Sequence, residues 1–212
     1  MRKSPRSVRE KPVPIKDDVD DVELLFRLIQ NHPRALRASW IRFAPLVHRL
    51  LKRALGPEDD VRELVQLVFV QFHRHSTELA DPTALRPLVL QLTTKTIRAE
   101  LRHRWARRWL RIGQAEAPPR TSIIPPPDSP SREALRRLYR RLDRCKTEDR
   151  IAFAFHFLEG LSLEEVAEAL NLTLPATQEV LAHAWHRIAV FVEHDTALLD
   201  YLCALEGQGA CA

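Results

Sequence analysis

Apolar residues recur along the first half of the chain at the three- and four-residue spacing of amphipathic helices. The first such stripe consists of Val22, Leu25, Phe26 and Ile29. A second helix is predicted from Leu36 to Gly56, a third from Pro57 to His75 and a fourth from Leu88 to Arg111. Pro45 lies inside the second pattern and marks a kink or a boundary. The proline and the acidic residues that open the third segment suit a first helical turn, because carboxylates complement the helix dipole.

A proline-rich stretch separates these helices from a second helical pattern. Residues 113–131 hold six prolines among nineteen positions and show no helical period, so they are predicted to form a linker. Beyond it, helices are expected from Ser131 to Leu142 and from an N-cap at Thr147 onward. The predicted fold is all-α, with two small helical domains. The expected segments are a flexible basic tail 1–19, a helical domain 20–112, the linker 113–130, a helical domain 131–205 and a flexible end 206–212.

Residues 160–188, GLSLEEVAEALNLTLPATQEVLAHAWHRI, have the spacing of a helix-turn-helix. Ser162 and Glu165 form a predicted capping box at the start of the first helix. Asn171 is the predicted left-handed residue of the turn. The residues expected to face inward from the second helix are Ala176, Val180, Leu181 and Ala184.

Charge is distributed unevenly along this chain of 212 residues, whose net charge is +5. Residues 98–111 hold six arginines against one glutamate, and residues 132–146 hold seven basic residues against two acids. From Thr147 to the end, eleven acids oppose two arginines. We therefore expect a polyanionic partner along the middle of the chain, and repulsion of such a partner at its end.

The basic segment Ile97–Arg111 also carries Trp105 and Trp109, one helical turn apart. Arginines neutralise phosphates and flat aromatic rings stack on unpaired bases, so this segment points to nucleic-acid binding. Packing of the tryptophans in the core is an equally open alternative. For the arginines, the alternative is a solvated basic face.

No pattern in the sequence points to catalysis or to a cofactor. The histidines lack carboxylate or cysteine partners at metal-ligand spacing. The three cysteines form neither a zinc pattern nor a disulfide framework. Apolar runs are too short for a membrane span, and the N-terminus lacks the apolar core of a secretion signal. We therefore expect a cytoplasmic protein that is not an enzyme and has no cofactor, metal or membrane-inserted segment.

The order of these segments resembles that of bacterial RNA polymerase sigma factors of the sigma-70 family, extracytoplasmic-function type. The motif ELVQLVF (63–69) is followed by a basic helix, a proline-rich linker and LEGLSLEEVAEAL (158–170), and the resemblance covers residues 35–192. It implies a region 2-like N-terminal domain that binds core polymerase and the −10 promoter element. It also implies a region 4-like C-terminal domain that binds the −35 element. Core RNA polymerase and promoter DNA are the implied partners, and an anti-sigma protein is a further candidate.

The resemblance assigns residues to three surfaces. The implied core-polymerase contacts are Asp60, Glu63, Leu64, Gln66 and Leu67. The implied −10 contacts are Arg98, Arg102, Arg104, Trp105, Arg107 and Arg108. The implied −35 contacts are Thr177, Gln178, His183, His186 and Arg187.

The second helix of the helix-turn-helix departs from the family pattern in its charge. Gln178, Glu179 and Val180 stand where the family carries lysine, serine and arginine, which removes phosphate contacts. Two hypotheses follow. One is a promoter-specific initiation protein, and the other is a degenerate sigma-like regulator that binds polymerase or an anti-sigma protein and recognises little −35 DNA. A helix-turn-helix regulator unconnected with polymerase is a third hypothesis, which the order of the two domains disfavours.

Overall fold

The computed structural model describes residues 20–57, 59–112 and 130–192 of the chain. Within its helices, the side chains of residues 108–112, 130–132 and 191–192 lie outside this description. The predicted basic tail, the linker over 113–129, residues 193–205 of the second predicted domain and the predicted flexible end also lie outside the described residues.

The regular secondary structure of the described residues is all helical, with no strand, which confirms the all-α prediction. The N-terminal set comprises α1 (Asp21–Ile29), α2 (Pro33–Leu55), α3 (Arg62–Ser76) and α4 (Leu85–Ile112), with a single 3-10 turn at Pro82–Ala84. The C-terminal set comprises α5 (Pro130–Leu142), α6 (Thr147–Phe153), α7 (Leu163–Leu170) and α8 (Leu174–Val192), and a π-helical turn at Ala154–Leu158 extends α6. Helix α2 continues through Pro45 without a boundary.

Helix α1 buries a different side from the predicted one. Leu24, Leu25 and Leu28 are buried, whereas Val22, Phe26 and Ile29 are exposed. The prediction was wrong for these three exposed residues because α1 has apolar residues on two sides and packs against α2 and α3 on one only. The side with three leucines is the one that these neighbours cover.

Helix α3 begins at Arg62, and not at Pro57 as predicted. Lys52 at the end of α2 donates a hydrogen bond to the Pro57 carbonyl at 2.9 Å and another to the Asp59 carbonyl. Gly56 turns the chain with a φ of +138°, which favours glycine. These contacts hold the segment after Gly56 as a loop. Asp60 therefore precedes the helix and accepts from the Arg62 amide at 3.1 Å.

Helix α6 also begins differently from the prediction, since Lys146 and not Thr147 is its N-cap. The Lys146 backbone is extended, and its carbonyl accepts the first helical bond, from the Arg150 amide at 3.0 Å. Thr147 is thus already the first helical residue, so its hydroxyl cannot take the capping position.

The two helical sets pack against each other, with α7 lying on α4 and the π-helical turn lying on α2. Their buried residues join in one continuous core. The division into two domains, which rests on the linker, stays a prediction.

Side chains of the other helices satisfy the C-terminal carbonyls of α2, which have no partner within their own helix. The buried Arg150 of α6 donates to the Ala54 carbonyl at 2.6 Å and to the Leu55 carbonyl at 2.9 Å, and it also pairs with Asp143. Tyr139 of α5 donates to the Arg53 carbonyl at 2.9 Å. The end of α2 is therefore held by residues of the C-terminal set.

Replacing Arg150 by Met is expected to lower the free energy of unfolding by about 3 kcal/mol, since it leaves the Ala54 carbonyl without a donor, the Leu55 carbonyl with only the longer bond from Arg104, and Asp143 without its cation. Urea unfolding of the full chain measures this change. Arg144→Met is the matched control, because Arg144 is exposed, and its effect should stay within about 0.5 kcal/mol. Equal stability of the two variants would contradict the capping role.

Candidate functional site

The outward side of α3 carries most of the residues assigned to polymerase docking. Glu63, Gln66 and Leu67 are exposed, while Leu64 is half-buried against the core. Inward-facing Val65, Val68 and Phe72 fix the rotation of the helix. The result is a rigid surface with an exposed leucine between polar side chains, which suits a protein contact.

Asp60, the fifth of these residues, lies in the loop before α3. Hydrogen bonds from Arg62, at 2.6 to 3.1 Å, and the charge of that guanidinium lower the pKa of Asp60 to about 2. The carboxylate is therefore ionised at neutral pH. A cationic group of a partner would have to compete with Arg62 for it.

The residues assigned to −10 DNA divide into two groups along α4. Arg102, Trp105 and Arg107 are exposed, and Trp105 shows 63% of its surface, so the alternative of a core position is wrong for this tryptophan. Arg98 and Arg104 are half-buried. The side chains of Arg108 and Trp109 lie outside the described residues.

Arg98 and Arg104 are engaged within the chain, contrary to the expectation of a basic face open to phosphates. Arg98 donates to both carboxylate oxygens of Glu148, at 2.9 and 2.7 Å, and to the Leu170 carbonyl at 3.2 Å. Arg104 donates to Glu100 at 2.8 Å, to Asp59 at 3.1 Å and to the Leu55 carbonyl. Phosphate binding by either guanidinium would require these bonds to be exchanged.

The segment that comprises α7 and α8 has the local features that its sequence predicts. The Ser162 hydroxyl accepts from the Glu165 amide at 3.2 Å, and Glu165 accepts from the Ser162 amide at 3.0 Å, which completes the capping box. Asn171 has a left-handed backbone, with φ 58° and ψ 50°. Of the residues expected to face inward from α8, Leu181 and Ala184 are buried, and Ala176 and Val180 are half-buried.

The structure corrects the assignment of one residue to the −35 DNA contacts. Thr177 is fully buried and donates to the Thr173 carbonyl at 3.0 Å, so its side chain cannot reach DNA. It lies four residues before Leu181 on the inward side of α8, a position that the register of this helix decides. Gln178, His186 and Arg187 are exposed, and so is Glu179.

His183 has a partner that the sequence did not indicate. Its Nδ1 lies 2.7 Å from a carboxylate oxygen of Asp149, a buried residue of α6. Trp185 packs beside Phe157, with 5.0 Å between ring centroids. Both residues therefore hold α8 against α6, and His183 can contact DNA only with part of its ring.

Ion pairs connect the two helical sets, and in each of them an arginine of the N-terminal set meets a glutamate of the C-terminal set. Arg49 lies 2.5 Å from Glu159, Arg86 lies 2.6 Å from Glu165, and Arg98 lies 2.7 Å from Glu148. Basic side chains of the N-terminal set therefore meet acidic side chains of the C-terminal set in the fold. The partners are 50 or more positions apart, so helical spacing could not reveal these pairs.

Comparisons with known proteins bear on the fold. No family profile matches the chain, and no curated protein matches it. A solved structure does match. This structure, of CnrH in complex with the cytosolic domain of CnrY, matches with a TM-score of 0.59 at 19% identity, over 84% of this chain and 99% of that one. At this identity the likeness shows a shared fold.

No helix in the described part of the chain has both the length and the apolar character of a membrane span. The same residues include no group of three or more histidine, cysteine, aspartate or glutamate side chains placed to hold a metal ion.

A double-mutant cycle on Arg98 and Glu148 is expected to give a coupling energy of about 1 kcal/mol, because the pair is bidentate but partly exposed. Urea unfolding of Arg98→Ala, Glu148→Ala and the double variant measures it. The coupling should shrink in 1 M salt, where charges are screened within about 3 Å. Zero coupling at low salt would show that this pair does not hold the two sets together.

Proposed function

We propose that this protein is a sigma-factor-like transcription initiation protein, which binds core RNA polymerase and directs it to promoters. The observation that carries the proposal is the exposed side of α3, where Glu63, Gln66 and Leu67 of the motif ELVQLVF lie together. The order of motifs along the chain and the fold shared with CnrH support it. No catalytic step is assigned to the protein itself.

The exposed side of α3 is the proposed docking surface for polymerase. Leu67 supplies apolar area for a pocket on the partner, and Glu63 and Gln66 supply polar contacts at its rim. The helix is held from behind by Phe72, which is fully buried. Little conformational entropy is therefore lost when a partner binds.

The end of α4 is the proposed contact with promoter DNA. Arg102 is exposed and can neutralise a phosphate, and Trp105 can stack on a base of an opened strand. Arg107 is exposed too, but it donates to Glu100 at 3.2 Å and shares its charge with that carboxylate. Arg98 and Arg104 can contact DNA only after their hydrogen bonds to carboxylates within the chain are broken. DNA binding through Arg98 would then compete with the packing between the helical sets, because its partner Glu148 belongs to the C-terminal set.

Specific observations also favour the second candidate function, a sigma-like regulator that acts through protein contacts. Arg98 and Arg104 are paired within the chain, Thr177 is buried, and the exposed surface of α8 carries Glu179. The likeness to CnrH, solved with the cytosolic domain of CnrY, supports a protein partner. An anti-sigma protein is the proposed partner in that case.

Glu63→Ala combined with Leu67→Ala is expected to weaken binding to purified core RNA polymerase at least tenfold, a loss of about 1.4 kcal/mol. Immobilised full-length protein and a dilution series of core polymerase measure the affinity. Glu168→Ala, an exposed glutamate on α7, is the control and should bind as the unaltered chain does. Equal binding by the docking variant and the control would exclude the α3 surface.

Arg102→Ala combined with Arg107→Ala is expected to reduce promoter-specific transcripts at least tenfold, because phosphate contacts are lost, while polymerase binding is retained. Run-off transcription with core polymerase and a library of genomic fragments measures this. The control is Arg34→Ala with Arg37→Ala, which removes the same charge from exposed residues at the start of α2. If polymerase binds the unaltered protein but opens no fragment, the initiation function is wrong and the regulatory candidate stands.

A further inference from the structure

A cavity lies between the end of α4 and the segment that joins α5 to α6. Its volume is about 480 Å³, within the range of small-molecule sites. One wall comes from α4, with Leu101, Arg102 and Trp105, and the opposite wall from Leu142, Cys145 and Lys146. The cavity thus exists only because the two helical sets pack together. Neither the proposed docking surface nor the helix-turn-helix uses it.

The charge of the cavity is strongly positive. Four cationic residues line it, namely Arg102, Arg104, Lys146 and Arg150, against the single carboxylate of Asp143. Arg150 already pairs with Asp143, and Arg104 pairs with Asp59 and Glu100. Arg102 and Lys146 are exposed and form no ion pair with any residue that the structure describes. Their charges can therefore be neutralised by an anionic ligand.

Apart from Thr147, the rest of the lining is apolar and includes a flat aromatic ring. Trp105 shows 63% of its surface, and Leu101, Leu142 and Cys145 form the side of the cavity near it. An indole ring exposed beside guanidinium and ammonium groups suits a planar ring that carries an anionic group. Inorganic phosphate alone would leave this apolar side unused.

We propose that this cavity binds a nucleoside phosphate, with its base against Trp105 and the apolar side and its phosphates at Arg102 and Lys146. The site does not depend on the proposed function, because ligand binding requires neither polymerase nor a promoter. A ligand in the cavity touches both helical sets and stabilises their packing, by an amount that grows with the logarithm of its affinity. It also covers Arg102 and Trp105, so it competes with DNA for the end of α4.

Titration calorimetry of the full chain at 150 mM salt tests the site, with ATP, GTP, tripolyphosphate and a 15-nucleotide oligothymidylate as separate probes. We expect at least one of the two nucleotides to bind, at least tenfold more tightly than tripolyphosphate. Arg102→Ala with Lys146→Ala should weaken that binding at least tenfold. The control pair Arg34→Ala with Arg37→Ala, which loses the same charge outside the cavity, should bind within twofold of the unaltered chain.

Cys145 provides a second measurement at the same place. Burial raises the pKa of its thiol, so alkylation is followed in mildly alkaline buffer. In a chain with Cys203→Ser and Cys211→Ser, saturating nucleotide should slow the alkylation of Cys145 at least fivefold. Tripolyphosphate at the same concentration should have less effect, because it leaves the apolar side uncovered.

Several outcomes would overturn the site. Absence of binding by both nucleotides at millimolar concentration does so directly. If tripolyphosphate binds as tightly as the nucleotides, the base has no role in binding. If the control variant loses as much affinity as the cavity variant, the binding is a general attraction between charges. Binding of the oligonucleotide alone assigns Arg102 and Lys146 to the DNA surface and not to a small-molecule site. Failure to bind core polymerase would overturn the proposed function and leave this site untouched.

Discussion

The last turn of α2 is the point on which the arrangement of the two helical sets depends. A helix end leaves its final carbonyls without partners and carries a partial negative charge. Here Tyr139, Arg150 and Arg104, from three different helices, donate to the carbonyls of residues 53 to 55. The buried guanidinium of Arg150 donates hydrogen bonds to these carbonyls, and its positive charge offsets their partial negative charge. The Asp143 carboxylate balances the charge of Arg150. The ends of α5, α6 and α4 are placed around this turn, and the cavity is formed beside it.

The contacts between the two sets fall into two classes of different strength. Arg150 is almost completely buried, so its loss would strand polar groups away from water. The pairs of Arg86 with Glu165 and of Arg98 with Glu148 are partly exposed, and such pairs contribute at most about 1 kcal/mol each. The Glu159 carboxylate, which pairs with Arg49, is buried and in this respect resembles Arg150. The exposed pairs can therefore be exchanged for phosphates or a partner's carboxylates at low cost. Separating the two helical sets at Arg150 costs more free energy, because polar groups would be left buried without partners.

This difference explains how one surface can serve several uses. The basic end of α4 contributes to the packing between the two sets through Arg98, and to the packing within the N-terminal set through Arg104. It contributes to both the cavity and the proposed DNA contact through Arg102 and the exposed Trp105. These uses exclude one another in part, because a guanidinium bound to a carboxylate is already neutralised. The docking side of α3 shares no residue with them. Protein binding at α3 and anion binding at α4 can accordingly be affected by separate substitutions.

The sequence by itself determined the features that depend on neighbouring positions. Helical periods, the capping box of Ser162 and Glu165, the left-handed Asn171 and the outward side of α3 all follow from contacts within a few residues. Tertiary packing decided which apolar side of α1 is buried, that Thr177 faces inward, and that Arg98 and Arg104 are paired. The partners that decide these features lie outside the helix concerned: Glu148 lies 50 positions from Arg98, and Asp59 lies in the loop before α3. The bond from Arg104 to Glu100 is the exception, since it follows the i, i+4 spacing of α4. Burial and ion pairing depend on which surfaces meet, and spacing along one helix carries no record of that.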